Sequence, residues 1–433
     1  MKNSEYNFIL ELNNKWYIYN SMSNKFAWIS KSVSTFLRSN EIDKIDRIGL
    51  NILHENHFII PNDVDEAKEV VDFYKKSVSQ DIYSLTILPT LDCNVSCWYC
   101  FEKCVKNSRL SDFTSTSILN HLNLIIQTKP QIKKFQIELF GGEPLLYFKD
   151  NLYPLLEQMK YLADSNEKDI SFLFITNGLC LNEKVIRLLK PFKPNFQISI
   201  DGYKKKHDSI KKIVGQEDKS AYDIVMKNIH LLISLLESHV TLRINYDDNT
   251  LLHINEVLES LKNIPRNKLS IHLERVWQTK GKKIEPNSKL KENIKKIIDH
   301  GFYVTYMNFF KKGFSCKTSK INHAAISYNG DVYKCTGRDF TLDTREGILA
   351  TDGHIKWETE KHTERLAIET YNNAICKKCK LLPLCYGPCS QKYIEMRKSG
   401  KTIEDLCQLK MSEMSVDEYI MLRLRSVLNI AKL

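Results

Sequence analysis

The sequence predicts an α/β fold in which a parallel sheet is covered by helices. Six apolar or β-branched runs, separated by longer stretches of helical periodicity, lie in the middle of the chain: SLTILPT, KFQIELF, ISFLFITNG, NFQISIDG, VTLRINYD and KLSIHLERV. Strands that are apolar on both faces and alternate with helices are typical of a parallel sheet, either open and doubly wound or closed as a barrel. Because ligands bind at the C-terminal ends of the strands in both architectures, polar residues that follow these runs are candidates for a site.

The chain of 433 residues is long enough for several domains, and changes of pattern divide it into four segments. We expect the strand–helix series to occupy residues 81–310. In residues 311–410 periodic elements are short and cysteines return, so this segment is expected to need metal to fold. Residues 411–433 contain an amphipathic helix that we expect to dock onto the rest of the protein.

The first 80 residues predict a small α+β module. Two β-like runs, NFILEL and KWYIYN, are followed by SMSNKF as turn material. Helical patterns near residues 31–39 and 43–54, an apolar HFII and the acidic helix start NDVDEAKEVVDFYKK complete the module.

Composition excludes several classes of protein. Hydrophobic residues make up 42% of the chain and charged residues 27%, and no uninterrupted apolar run approaches the roughly 20 residues that span a bilayer. The N-terminal MKNSEYNFILELNNKWYIY lacks the compact apolar block of a signal peptide, so we expect a cytoplasmic protein without a membrane partner. The net charge of +11 comes from dispersed lysines, which we interpret as solvated surface rather than a nucleic-acid interface.

The twelve cysteines predict metal ligation or thiol chemistry, because disulfides are unlikely in a reducing compartment. In LDCNVSCWYCFEKC, residues Cys93, Cys97 and Cys100 directly follow the first predicted strand of the series. Soft thiolates at this spacing favour an iron–sulfur cluster over hard cations, and a [4Fe–4S] cluster on three cysteines leaves one iron open. The alternative is a structural zinc site with a fourth ligand from elsewhere, such as Cys104 or a histidine.

The C-x3-C-x2-C spacing, with Tyr99 just before the last cysteine, resembles the signature of the radical S-adenosylmethionine (SAM) superfamily. The stretch ELFGGEPLL after the second strand contains Gly141, Gly142, Glu143 and Pro144. It resembles the GGEP motif of that family, whose backbone and carboxylate bind the methionine amino group. Glycines allow close backbone approach there, and a carboxylate can accept from an ammonium.

Further strand ends resemble the family in the same order. FITNG follows the third strand, and SIDG, with Ser199 and Asp201, follows the fourth. LRINYDDN offers Arg243 and Asn245 after the fifth. By the resemblance, these residues contact the cofactor or the substrate.

The resemblance implies a partial (β/α)6 TIM-like barrel that holds a [4Fe–4S] cluster on the three cysteines and SAM on the open iron. In this family an electron from the cluster cleaves the sulfonium, and the 5′-deoxyadenosyl radical abstracts a substrate hydrogen, while the barrel orients the cofactor and excludes water and oxygen. It also implies an electron donor such as flavodoxin or ferredoxin. Cys104 lies outside the family spacing and is expected to be a bystander.

The C-terminal cysteines have the spacing C-x13-G-x4-C, C-x2-C-x5-C-x3-C and a last cysteine after seventeen residues. This pattern resembles the SPASM extension of radical enzymes that modify peptides and proteins. The resemblance implies two auxiliary [4Fe–4S] clusters, one on Cys376, Cys379, Cys385 and Cys407, the other on Cys316, Cys335 and Cys389. A zinc ribbon is the alternative, but seven cysteines fit closed tetrahedra poorly. Because YMNFFKKGFS before Cys316 lacks the fourth cysteine of some relatives, the three-cysteine cluster is expected to have an open iron or a non-cysteine ligand.

Two functions compete within the family. Sulfatase maturases, which oxidise a serine or cysteine to formylglycine, carry an aspartate directly after the cysteine that corresponds to Cys335. This chain has Thr336 there, and Asp339 comes three residues later. We therefore expect a maturase that installs a thioether or carbon–carbon crosslink in a ribosomally made precursor peptide.

The N-terminal module loosely resembles winged-helix-like domains that bind a leader peptide as an added strand, and the alternative is a structural cap over the barrel. Asp201, Arg338 and Asp339 are candidates for proton transfer, but no general base is identified. The third reading is a non-catalytic, metal-stabilised scaffold or a nucleic-acid binder. Such a protein has no reason to carry the GGEP loop and the other motifs at the strand ends.

Overall fold

The computed structural model describes residues 1–78, 81–278, 287–306, 316–397, 399–400 and 402–430. Single turns of 3-10 helix lie at Ile42–Lys44, Lys190–Phe192, Lys317–Ser319, Ile403–Leu406 and Gln408–Met411, and a π-turn lies at Phe148–Leu152. None of the helices within the described ranges has the length and apolar character needed to cross a bilayer.

The N-terminal module packs an antiparallel sheet against helices, around a small core that includes Ile18, Leu37 and Phe58. Its strands are β1 (Lys2–Asn3), β2 (Asn7–Leu12), β3 (Lys15–Asn20), β4 (Lys25–Ile29) and β5 (Ile59–Ile60), and its helices are α1 (Lys31–Ser39), α2 (Arg47–Glu55) and α3 (Glu66–Val78). The strand β4 was not foreseen, because its first residues belong to the expected turn. It forms because the ring of Phe26 packs on that of Tyr19 in the neighbouring strand, with centroids 4.5 Å apart.

The central sheet confirms the predicted α/β fold. The strands of this part of the chain are β6 (Ile82–Leu88), β7 (Val95–Ser96), β8 (Lys134–Leu139), β9 (Asp169–Thr176), β10 (Asn195–Ile200), β11 (Lys212–Ile213), β12 (Val240–Tyr246), β13 (Leu269–Arg275) and β14 (Tyr303–Tyr306). Of these, β7 and β11 pair with each other in a separate antiparallel sheet, and the others belong to the central sheet. The six runs expected from the sequence form β6, β8, β9, β10, β12 and β13, which pair in parallel in chain order. The sheet is therefore consistent with a partial TIM-like barrel, and β14 adds a further parallel strand beside β13.

Helices cover this sheet between successive strands. They are α4 (Asp112–Thr128), α5 (Tyr153–Ser165), α6 (Glu183–Leu189), α7 (Lys204–Ile210), α8 (Ala221–Leu235), α9 (Asp248–Leu252), α10 (Ile254–Ser260) and α11 (Ser288–Asp299). Strand β6 is buried over almost its whole length, because Tyr83, Leu85 and Ile87 pack in the main core and a neighbouring strand pairs with it on each edge. This burial fixes the position of the cysteine loop that follows it.

The cysteine-rich segment continues the same sheet. Its strands are β15 (His323–Ser327), β16 (Asp331–Tyr333), β17 (Gly347–Leu349) and β18 (Ile355–Trp357), followed by helices α12 (Thr359–Ala367), α13 (Ala374–Lys377), α14 (Leu382–Cys385), α15 (Ser390–Met396) and α16 (Val416–Ile430). Strand β15 pairs in parallel with β6, and β16 to β18 extend the sheet to eleven strands among the described residues. The expected boundary at residues 310 and 311, and the stretch just before Cys316, lie outside the described residues.

Helix α16 closes the structure at the C-terminal end of the described chain. It buries Tyr419, Ile420 and Leu422 in the main core, and it packs against α11 and β2. The amphipathic pattern of this segment thus becomes a buried face that joins the N-terminal sheet to the barrel.

Candidate active site

Three cysteines lie in the loop after β6, at the C-terminal edge of the parallel sheet. Burial raises the pKa of the Cys93 thiol to about 12, and the neighbouring Glu143 and the thiolates of Cys97 and Cys100 add to this shift. Burial raises the pKa of Cys97 to about 11, against the opposing effect of the Lys211 ammonium. The three thiols therefore stay protonated until a bound metal displaces their protons.

The loop after β8 packs directly on this cysteine loop. Gly141 and Gly142 both have positive φ angles, of 86° and 47°. A Cβ atom on Gly142 would lie 2.2 Å from the carbonyl oxygen of Asp92, so only glycine fits this contact. The next amide, that of Glu143, donates to the same carbonyl at 2.9 Å, and Pro144 is buried behind it.

The Glu143 carboxylate connects the loops after β8 and β9. Its Oε1 accepts from the Thr176 hydroxyl at 2.7 Å and the Leu145 amide at 3.1 Å, and its Oε2 accepts from the Asn177 amide at 2.9 Å. Burial raises the pKa of Glu143, although these hydrogen bonds favour the charged form. Both oxygens are thus engaged by the chain, and contact with a methionine amino group stays a prediction.

Four residues expected at the cofactor form one hydrogen-bonded chain across the ends of β10 and β12. The Tyr99 hydroxyl donates to Asp201 Oδ1 in a short hydrogen bond, and Asn245 Nδ2 donates to the Tyr99 oxygen at 3.0 Å. Arg243 Nε in turn donates to Asn245 Oδ1 at 3.1 Å. Burial raises the pKa of Tyr99, and the Asp201 carboxylate adds to the shift, so the phenol stays protonated. Tyr99 thereby joins the cysteine loop to the far strands.

Two buried residues at this edge were missed from the sequence. Lys211 Nζ donates to the carbonyl and the hydroxyl of Ser199, at 2.6 and 2.7 Å, and lies 3.8 Å from Asp201 Oδ2. His207 Nδ1 accepts from the Asp201 amide at 3.1 Å, and burial lowers the pKa of His207 well below its usual value, so the ring is neutral. Both belong to KKKHDSIKK, which has the composition of a solvated surface. No periodic signal marks them as buried.

The group of Asp201, His207 and Lys211 contains buried atoms without hydrogen-bond partners among the described residues, and this matters for binding. Among the described residues, Asp201 Oδ2 is buried without a hydrogen-bond donor, and His207 Nε2 is buried without a hydrogen-bond partner. Buried polar atoms without partners are rare and costly, and they often mark the position of a bound group. The cluster can therefore accept a hydrogen bond from a ligand at the end of β10.

The cysteines of the C-terminal segment affect one another's pKa in two groups. Burial raises the pKa of Cys335 to about 11, and the nearby thiolates of Cys316 and Cys389 contribute. Burial raises the pKa of Cys385 to about 12, with contributions from Cys379, Cys376 and Cys407. Each group has the same members as one of the two ligand sets implied by the resemblance. Over the described ranges, no three cysteine, histidine or acidic side chains are arranged to hold a metal ion, so the case for iron rests on donor chemistry and spacing.

The remaining candidates for proton transfer are engaged in other contacts. Arg338 forms a bidentate ion pair with Glu395, at 2.7 and 2.8 Å. Asp339 Oδ1 accepts from the Lys103 amide at 2.8 Å and from the Phe340 amide at 2.9 Å. Asp339 thus connects the loop after Cys335 to the first cysteine loop.

The loop of three thiols, the glycine loop packed on it and the polar strand ends together define a class of enzyme. Residues 87–248, from β6 into α9, match the family model of the Radical SAM superfamily, so the chain contains a Radical SAM domain.

Similarity to curated relatives is found as well, in one case over most of the chain. The chain is 21% identical over 423 residues to the radical SAM cyclopropyl synthase TigE of Paramaledivibacter caminithermalis, covering 86% of this chain and 84% of the relative. It is 27% identical over 184 residues to a cysteine-type anaerobic sulfatase-maturating enzyme of Clostridium novyi, covering 41% of this chain and 48% of that enzyme.

Solved structures show the same fold. The structure of anSMEcpe with bound AdoMet has a TM-score of 0.53 and 19% identity, covering 80% of this chain and 96% of that one. Streptococcus suis SuiB has a TM-score of 0.51 and 15% identity, covering 92% of this chain and 97% of that one. The fold is therefore shared with both, across most of the chain.

Proposed function

We propose that the chain is a SAM-dependent peptide maturase that installs a thioether or carbon–carbon crosslink. The observation that carries this proposal is the position of Cys93, Cys97 and Cys100 beside the glycine loop and the polar strand ends. When bound, a [4Fe–4S] cluster and SAM would supply a 5′-deoxyadenosyl radical for hydrogen abstraction.

The residues of the site fit a [4Fe–4S] cluster and SAM. Three soft thiols suit iron, and their number leaves one iron open for a ligand. Gly141 and Gly142 let the backbone approach that ligand closely. Asp201 Oδ2 offers a buried acceptor for a hydroxyl or ammonium, and Lys211 offers a cation to a carboxylate. SAM, an amino acid joined to a ribose, carries the hydroxyls, the ammonium and the carboxylate that these two side chains could bind.

The C-terminal cysteines support two auxiliary [4Fe–4S] clusters, because in each implied ligand set the other thiolates raise the pKa of one member. These clusters would stabilise a segment that consists of short elements. An acidic one-electron carrier such as flavodoxin or ferredoxin would supply electrons to the protein.

A peptide substrate is supported by the fold that the chain shares with anSMEcpe, at a TM-score of 0.53. That enzyme has been solved with AdoMet and the Kp18Cys peptide. The N-terminal module offers a place for the leader of such a peptide. Strand β4 pairs with β3 on one side only, among the described residues. Beside it lies a groove of about 640 Å³ lined by Tyr17, Trp28 and Lys31, and Trp28 is 65% exposed. A leader that adds a strand to β4 would place its side chains along this aromatic groove.

Formylglycine formation is the second candidate, favoured by the similarity to the sulfatase-maturating enzyme of Clostridium novyi. The residue after Cys335 is Thr336, however, and not an aspartate. Asp339 does not replace it readily, because its Oδ1 accepts two backbone amides. We therefore favour crosslinking.

Anaerobic reconstitution tests the cofactor assignment. The wild-type chain should hold about twelve irons and sulfides, as three [4Fe–4S] clusters require, and release 5′-deoxyadenosine with SAM and dithionite. The triple variant Cys93→Ala, Cys97→Ala, Cys100→Ala should retain about eight irons and release none. Release by the triple variant, or zinc in place of iron in the wild type, would refute the assignment.

The choice of product is tested with a short peptide encoded beside the gene. A crosslink removes two hydrogens and blocks fragmentation between the joined residues in tandem mass spectrometry. Formylglycine instead reacts with a hydrazide probe, and that result would reverse the preference. Leader binding should weaken in Trp28→Ala but not in Tyr161→Ala, as measured by fluorescence anisotropy of the labelled peptide. Tyr161 is a matched control because it is an exposed aromatic on α5, 75% accessible against 65% for Trp28.

A further inference from the structure

Asp92, just before the first cysteine, holds the cysteine loop closed. Its Oδ1 accepts from the Cys93 amide at 2.8 Å and from Lys106 Nζ at 3.0 Å. Its Oδ2 accepts from the Asn107 amide and from the Tyr147 hydroxyl, both at 2.8 Å. The two ends of the loop are thereby tied to one carboxylate that is 5% exposed, and Tyr147 joins them to the segment after the glycine loop. Donors from both ends of the loop and from Tyr147 thus converge on this one side chain.

A fourth thiol lies in the same loop. Cys104 follows Cys100 with the same x3 spacing that separates Cys93 from Cys97. Cys100 and Cys104 are both exposed, and the Cys104 thiol contacts Asp92 Oδ1, the same oxygen that accepts from the Cys93 amide. By its spacing and position, Cys104 is therefore a competitor for the open iron of a cluster held by the other three cysteines.

The structure directs Cys104 toward Asp92 instead. The Cys104 thiol lies 3.7 Å from Asp92 Oδ1 and donates to it. The backbone on either side is anchored, because the Lys103 amide donates to Asp339 Oδ1 at 2.8 Å and the Val105 amide donates to the Leu91 carbonyl at 3.0 Å. To bind iron, Cys104 would have to lose its proton and give up this hydrogen bond.

We propose that Asp92 is a positioning residue that keeps the Cys104 thiol away from the cluster and so leaves the fourth iron open for SAM. The inference rests on the proposed cofactor assignment. A cluster bound by four thiolates has no free position, so a chain with four cysteines in one loop needs a means of holding one of them back. Asp92 accepts from Cys104 and from both ends of the loop, so it both holds the Cys104 thiol back and keeps the loop ends together.

Four variants of the full-length protein test this role: Asp92→Ala, Cys104→Ser, the double variant of both, and Asp92→Ala combined with Cys180→Ser. Cys180 is the matched control, since its sulfur also lies near Cys93 but accepts from Asn94 Nδ2 at 3.4 Å and does not contact Asp92. Iron content, SAM affinity by equilibrium dialysis, and the change that SAM causes in the electron paramagnetic resonance spectrum of the reduced protein are measured.

Asp92→Ala should retain its iron, lose the spectral response to SAM and bind SAM about ten- to hundredfold more weakly. Adding Cys104→Ser should restore SAM binding to within about threefold of wild type, as the fourth ligand is then removed. Adding Cys180→Ser to Asp92→Ala should not restore SAM binding. Cys104→Ser alone should bind SAM like the wild type.

Unchanged SAM binding in Asp92→Ala would overturn the proposal, as would failure of Cys104→Ser to restore it or equal restoration by Cys180→Ser. If Asp92→Ala loses iron, Asp92→Asn with and without Cys104→Ser decides by the same comparison. A wild-type protein that neither holds iron nor binds SAM would instead refute the proposed function, so the two failures are distinguishable.

Discussion

The buried pair of Lys211 and Asp201 should behave as one electrostatic unit. The two side chains are 3% and 1% exposed, and Lys211 Nζ lies 3.8 Å from Asp201 Oδ2. Lys211→Met keeps the length of the side chain and removes its charge. Asp201→Asn keeps an oxygen for the Tyr99 hydroxyl and also removes a charge. Each single variant leaves the other charge buried without its partner, whereas the double variant leaves neither.

The distance sets the size of the effect. At 3.8 Å and an effective dielectric constant of about 20, the attraction is about 4 kcal/mol. Removing one partner of a buried pair typically costs about 3–5 kcal/mol, since the remaining charge stays uncompensated. We expect each single variant to lose that much local stability. The double variant should be more stable than the sum of both losses by about 2–3 kcal/mol.

Hydrogen exchange of peptides from β10 and β12 measures the local opening free energy in all four forms. Lys204→Met is the control, because its ion pair with Asp223 is largely exposed, with side chains 50% and 64% accessible, and should contribute at most about 1 kcal/mol. Strictly additive losses in the double variant would contradict the reasoning. They would show that Lys211 is held by its bonds to Ser199 and not by Asp201.

Two further predictions follow from other contacts. His121 lies between the Tyr83 hydroxyl and the Gly353 carbonyl, and burial lowers its pKa from 6.5 to about 4, so the folded protein holds the ring in its neutral form. The neutral ring contributes its full stabilisation of the fold above pH 6.5, the unfolded pKa, and this contribution, up to about 3 kcal/mol, is lost as the pH falls from 6.5 to 4. The urea midpoint should lose this pH dependence in His121→Gln. Gly142→Ala should lower the iron content of the reconstituted protein, because its Cβ would meet the Asp92 carbonyl at 2.2 Å. Gly215→Ala has a similar positive φ but no atom within 4 Å, and it should retain its iron.

The central strands were predictable because each is long, apolar and followed by a helix of clear periodicity. Strand β15 was not, since HAAIS consists largely of small residues and is stabilised by pairing with β6, which is more than 230 residues away in the chain. Strands β16 to β18 have three residues each, too short for a period of two to appear. Their structure depends on neighbours that a local pattern does not reveal.

In the candidate site, too, features set by local spacing were predictable and features set by distant contacts were not. Spacing predicts the three thiols of the first loop as ligands, because ligand spacing is a local property. Lys211 and His207 could not be found in this way, since their burial comes from packing beneath the end of β10. Nor does the sequence reveal that both Glu143 oxygens are engaged by the chain's own donors. Contact partners across loops decide such roles, and they are absent from a linear motif.

The two cysteine regions are coupled through the fold and are not independent modules. Strand β15 is the parallel neighbour of β6, the strand that carries the first cysteine loop. Asp339, four residues after Cys335, accepts from the amide next to Cys104, and His121 on α4 bonds to the carbonyl of Gly353. A change in the loop after Cys335 therefore reaches the backbone that positions Cys104. The C-terminal segment thus contributes to the geometry of the first thiol site as well as to its own, because the hydrogen bonds that fix that site come from both parts of the chain.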